Sequence, residues 1–87
     1  MMATWRELIS SALTDSCESW DDVVYCTLSD AQLDREFNDD WGGIEGDAFT
    51  MWTSNHVYFP VCYDGSEWVG SVPRNPQQTP IGHIGGG

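Results

Sequence analysis

Three β-rich runs follow one another from Ala48 to Val72, AFTMWT, HVYFPVCY and EWVGSV, broken by Ser54-Asn55 and by Asp64-Gly65 with Ser66. Breaks this short suit tight turns, and Asp-Gly is a strong hairpin signal, so the three runs read as an antiparallel meander. Alternation gives the sheet two faces, and Phe49, Met51, Val57, Phe59, Val61, Tyr63, Trp68 and Val72 are read as the core side. Pro60 cannot donate to a ladder, which predicts a bulge or an edge at that point.

The first half has a different texture. TWRELISSAL opens with Thr4 as N-cap and Glu7 three residues on, and Trp5, Leu8, Ile9, Ala12 and Leu13 recur at helical spacing. TDSCESWDD is polar and turn-prone, and VVYCTL (Val23 to Leu28) reads as a strand. A second capping box, Ser29 with Gln32 and a Leu28/Leu33 staple, predicts a helix from Asp30 to about Phe37. NDDWGGIEGD reads as a loop and PRNPQQTPIGHIGGG as an extended or mobile tail. The expected fold is α+β, with two short helices on an antiparallel sheet of three to four strands in the order α-β-α-β-β-β. Residues 1–73 form the domain and 74–87 the tail.

A chain of 87 residues is one domain, and at that size bulky side chains must supply the core; five Trp, three Tyr and three Phe do so. Fourteen Asp and Glu face three Arg and no Lys, for a net charge of −11. Such a surface repels nucleic acid phosphates and anionic lipid headgroups and attracts basic protein surfaces. Cys17, Cys26 and Cys62 form no close pairs, which fits a reducing compartment. With neither a signal-peptide pattern nor a long apolar run, the expected location is the cytoplasm, that of a bacterial host cell in the reading reached below.

Chemistry-bearing arrangements are sparse. His56 and Cys62 share a strand face but stand roughly 20 Å apart, so Cys62 reads as a small buried hydrophobe and His56 as a partly exposed side chain. Calcium loops need Gly at the sixth position and Glu at the twelfth. Counting from Asp34 the sixth is Asp39, and from Asn38 the twelfth is Phe49. The Cys and His residues show no paired zinc spacing. No enzyme activity, metal or cofactor is expected.

The acids are what the fold does not explain. Eleven of the fourteen lie between Asp15 and Asp47, opposed there by Arg35 alone. On a helix and its flanking loops, carboxylates at i, i+4 recur at about 5 to 7 Å, close to the phosphate spacing of a nucleic acid strand. Asp30, Asp34, Glu36, Asp39, Asp40, Glu45 and Asp47 form the candidate partner-binding face, with Asp21 and Asp22 as a second patch. Trp41, flanked by Asp40 and two Gly, is either a lid over the core or an apolar anchor for that partner. A solvated or halophilic surface is the plain alternative.

Small size, strong acidity, a clustered carboxylate face and no catalytic constellation resemble the phage-encoded inhibitors that mimic nucleic acid, anti-CRISPR proteins among them. Separately, VYFPVCYDGSEWVGSVPRNP resembles a stretch found in small proteins of phages and mobile elements. The resemblance implies a non-enzymatic inhibitor that occupies the basic nucleic-acid channel of a host defence complex, such as a CRISPR effector, and blocks target binding. The second reading is a protein interaction module that binds through an aromatic sheet, Trp52, Tyr58 and Trp68, while its acidity serves solubility.

Overall fold

The computed structural model describes residues 2–38, 46–63 and 66–74. Its elements are, in chain order, β1 (Met2–Ala3), α1 (Trp5–Asp15), a 3-10 turn (Trp20–Asp22), β2 (Val23–Cys26), α2 (Asp30–Leu33), β3 (Phe37–Asn38), β4 (Met51–Thr53), β5 (His56–Tyr63) and β6 (Ser66–Pro73). The fold is α+β, with β1 and β3 forming a two-stranded antiparallel pair and the order β2-β4-β5-β6 forming a four-stranded antiparallel sheet.

Helix α1 begins where the sequence places it. Thr4 is extended, and its hydroxyl accepts the Glu7 N–H (3.2 Å) while facing the Glu7 carboxylate at the same distance. Trp5, Ile9 and Leu13, one turn apart, are fully buried. They meet Leu28, Leu33, Phe37, Phe49, Met51 and Tyr58 in one cluster, with Leu8 and Ala12 packed beside it. Trp5 is its centre: Phe37 and Phe49 each lie 4.9 Å from it, and its indole N–H donates to the Asp47 carbonyl at 3.0 Å.

The helix ends in a Schellman motif. Cys17 N–H donates to the Thr14 carbonyl (3.0 Å) and Glu18 N–H to the Leu13 carbonyl (2.7 Å), which requires a left-handed residue between them. Cys17 fills it at φ 59°, where glycine carries no Cβ penalty. Cys17→Gly is therefore expected to stabilise the protein by about 1 kcal/mol, measured as a higher urea midpoint with an unchanged slope.

Helix α2 is shorter than the sequence reading, stopping at Leu33 with Asp34 as C-cap instead of running to Phe37. The capping box is complete, Ser29 N–H to the Gln32 side chain at 2.8 Å and Gln32 N–H to the Ser29 hydroxyl at 3.2 Å. What fails is propagation, because Arg35 and Glu36 offer no apolar contact beyond Leu33 and a single turn is barely self-supporting. Phe37 reaches the core by pairing with Ala3 across β1 and β3.

Strands β5 and β6 pair without interruption from His56↔Pro73 to Tyr63↔Ser66; the intervening Asp64-Gly65 lies outside the described residues. Pro60 causes no bulge. It pairs with Val69, while β4 pairs only with Val57 and Tyr58, so at Pro60 the described ladder has a neighbour on one side. The irregularity falls in β2, between Val23 and Tyr25.

The register also corrects the core face. Met51 pairs with Tyr58, and both are fully buried beneath α1. By alternation Val57, Phe59, Val61 and Tyr63 take the opposite side of β5, together with Trp68 opposite Val61. Of the residues read as core, Phe49, Met51 and Val61 are buried, Val57, Phe59 and Val72 are half-buried, and Tyr63 and Trp68 are exposed. Cys62 is likewise exposed instead of buried, and His56 is partly exposed as read. HVYFPVCY carries large apolar groups at both parities, so periodicity alone does not say which side α1 covers. The expected tail beyond Arg74 lies outside the described residues.

Candidate functional site

The described acidic residues differ in what they contact. Asp30, the first residue of α2, and Asp34, its C-cap, converge on Arg6 of α1: Arg6 Nε donates to Asp34 at 2.6 Å and Nη2 reaches Asp30 at 3.4 Å. The hydrogen bond from Arg6 holds the Asp34 carboxyl below its ordinary pKa range, and the pair raises that of the guanidinium. Arg6 also lies over the Trp20 ring at 5.8 Å. Asp47 is half-buried and pairs with Arg35 at 3.5 Å, and Arg35 lies over Phe37 at 5.8 Å.

Asp21 and Asp22 are exposed on the 3-10 turn that leads into β2. Asp22 closes that turn by accepting the Ser19 N–H at 2.9 Å. Glu36 is exposed between α2 and β3. Asp39, Asp40, Trp41 and Glu45 lie outside the described residues. The expected row of carboxylates at helical spacing is thus reduced to the Asp30–Asp34 pair, because α2 ends one turn early.

The structure brings together a group that the sequence reading left among the unassigned acids. The Schellman turn directs Glu18 under the β4–β5 hairpin, where its side chain is only 7% exposed. It accepts hydrogen bonds from the Tyr58 hydroxyl (2.5 Å) and the Thr53 hydroxyl (2.8 Å), and lies 3.1 Å from His56 Nδ1. Burial opposes the charge on Glu18, but the bonds from Tyr58 and Thr53 and the adjacent His56 outweigh it and hold the carboxyl below its ordinary range. Burial, with Glu18 beside it, pushes the Tyr58 hydroxyl up to about 12. Thr53 also accepts the Asn55 and His56 N–H groups, at 3.1 and 3.0 Å, so one hydroxyl ties the hairpin turn to Glu18. Arg74 Nη1 donates to the Thr53 carbonyl at 3.1 Å from the far strand. The signal in sequence is faint: a non-glycine at the left-handed position after α1 hides the turn that aims Glu18 inward.

Opposite the helices, the sheet presents rings. Tyr25 packs on Trp52 at 5.1 Å, Trp52 pairs with Val57, and Phe59, Tyr63 and Trp68 continue the face along β5 and β6. Tyr25, Tyr63 and Trp68 are 53%, 48% and 36% exposed. Tyr58, read as part of an aromatic binding sheet, is on the buried side and is removed from that set. The described residues hold no group of three His, Cys, Asp or Glu placed to bind a metal ion, and no helix among them is long and apolar enough to cross a membrane.

No known protein family, curated protein or solved structure matches the chain.

Proposed function

We propose that the chain is a non-enzymatic inhibitor that binds a basic, nucleic-acid-binding surface of another protein, in its most specific form the channel of a CRISPR effector complex, and excludes target nucleic acid. The observation that carries this reading is the state of the three arginines. Arg6 is committed to Asp30 and Asp34, Arg35 to Asp47 and Arg74 to the Thr53 carbonyl. With no Lys in the chain, every arginine already has an acceptor within the chain, while Asp21, Asp22, Asp30 and Glu36 stay exposed. A partner therefore meets a strongly net-negative surface, which accelerates encounter with basic surfaces and repels nucleic acid.

The test is a mobility-shift titration of a guide-loaded CRISPR effector on its target DNA. Wild-type protein is expected to abolish the shift, with potency falling steeply as salt rises. A variant with Asp21→Lys, Asp30→Lys and Glu36→Lys, which leaves the Arg6–Asp34 bond intact, is expected to lose potency by roughly 100-fold. Inhibition that survives both salt and reversal refutes electrostatic mimicry. The second reading, an interaction module that binds through its sheet, is favoured by one observation, the exposed rings of Tyr25, Tyr63 and Trp68.

A further inference from the structure

We infer that the outward sheet face bearing Tyr25, Trp52, Phe59, Tyr63 and Trp68 is a docking surface for arginine side chains of a basic protein, an inference that rests on the partner being cationic as proposed above. Aromatic faces attract cations, and guanidinium, being planar and weakly hydrated, stacks on them more readily than ammonium does. The molecule uses this arrangement twice on itself. Arg6 lies over Trp20 while bonded to Asp34, and Arg35 lies over Phe37 while paired with Asp47. A ring and a carboxylate together satisfy both the plane and the charge of a guanidinium.

The outer face offers rings of the same kind, and Arg74, which follows β6 in the alternation of Trp68 and Val72, donates to the Thr53 carbonyl at its end. Tyr25 stands at its β2 margin, and the exposed Asp21 and Asp22 lie on the turn that enters β2. A strand pair eight residues long, with two short strands at one end, offers on the order of 300–400 Å². That is about half of what each partner contributes to a stable interface, roughly 800 Å². The rings alone are therefore insufficient, and the acidic margin must join the contact, which selects a partner both stackable and positive. A second copy of the chain fails this requirement because it brings the same net charge of −11.

Calorimetric titration with deca-arginine and deca-lysine tests the assignment in the intact chain. Deca-arginine is expected to bind roughly five- to tenfold tighter than deca-lysine. Because guanidinium also pairs better with carboxylates, the deciding measurement is Trp68→Leu, which keeps apolar bulk but removes the ring and should erase most of that preference. Tyr25→Ala, at the exposed β2 margin, should do the same in part. Thermal melts check that each variant is folded. An arginine preference unchanged in both variants overturns the inference and leaves the acidic reading standing, whereas absence of binding by either peptide overturns both. Sedimentation showing self-association that Trp68→Leu abolishes would assign the face to a second copy and overturn it too.

Discussion

Glu18→Ala is expected to destabilise the protein by about 3 kcal/mol, because it leaves the hydroxyls of Tyr58 and Thr53, both fully buried residues, without their carboxylate acceptor. For a domain of this size that lowers Tm by well over ten degrees, at roughly 4–8 °C per kcal/mol. The pH dependence separates charge from packing. The folded pKa of Glu18 lies below its ordinary 4.5, so the unfolded chain binds its proton first. The stabilisation from its charge is complete above about pH 4.5 and is lost as pH falls through the folded value. Wild-type urea midpoints should drop over that range relative to Glu18→Gln, a comparison that cancels the relief of general charge repulsion on protonation.

At the alkaline end the sign is the opposite. Tyr58 ionises near 12 when folded against 10 ordinarily. The stability it supplies is whole below pH 10 and lost as pH rises toward 12. Ultraviolet titration should show a tyrosine that ionises near 12, and Glu18→Gln should lower that value.

Gly46→Ala is expected to cost about 2 kcal/mol, from the overpacking range for cores. An added Cβ would stand 2.6 Å from Cζ2 and 2.9 Å from Cε2 of Trp5, and 3.0 Å from the Glu67 carboxylate. Trp5 has nowhere to retreat, being fully buried between Phe37 and Phe49. Nor can the backbone lift freely, since the Gly46 N–H donates to the buried Glu67 carboxylate at 3.1 Å. Denaturant melts of Gly46→Ala alone and with Trp5→Phe should show partial rescue by the smaller ring. Equal losses in the two backgrounds would mean the clash is relieved elsewhere.

Local signals in the sequence carried the fold a long way. Thr4 and Ser29 start helices where caps were read, and HVYFPVCY and EWVGSV become β5 and β6 almost residue for residue. The failures have one physical root, which is that tertiary contact decides them. Phe37 sits at i, i+4 from Leu33, a helical pattern, yet its stabilisation comes from Trp5 and the pairing of β3 with β1. Tyr58 and Val57 are equally good strand residues, and only the placement of α1 determines which is buried. Glu18 was legible as charge but not as a hydrogen-bonding centre, since its partners are far along the chain at Thr53, His56 and Tyr58. The acidic face is expected from sequence as a helix surface, whereas among the described residues it is a set of exposed acids on a turn, a one-turn helix and a loop.

The small pairing of Met2–Ala3 with Phe37–Asn38 has a consequence in time. The β5–β6 hairpin closes a tight loop, whereas the β1–β3 contact must bring together residues separated by α1, β2 and α2, with a far larger loop-closure entropy and only two residue pairs in return. It is expected to form after the core around Trp5 has condensed and to open before it. Amide exchange at Ala3 therefore proceeds through local fraying while the middle of α1 exchanges only with global unfolding. Exchange beside Phe37 is therefore expected to be faster than in the sheet that holds the rings.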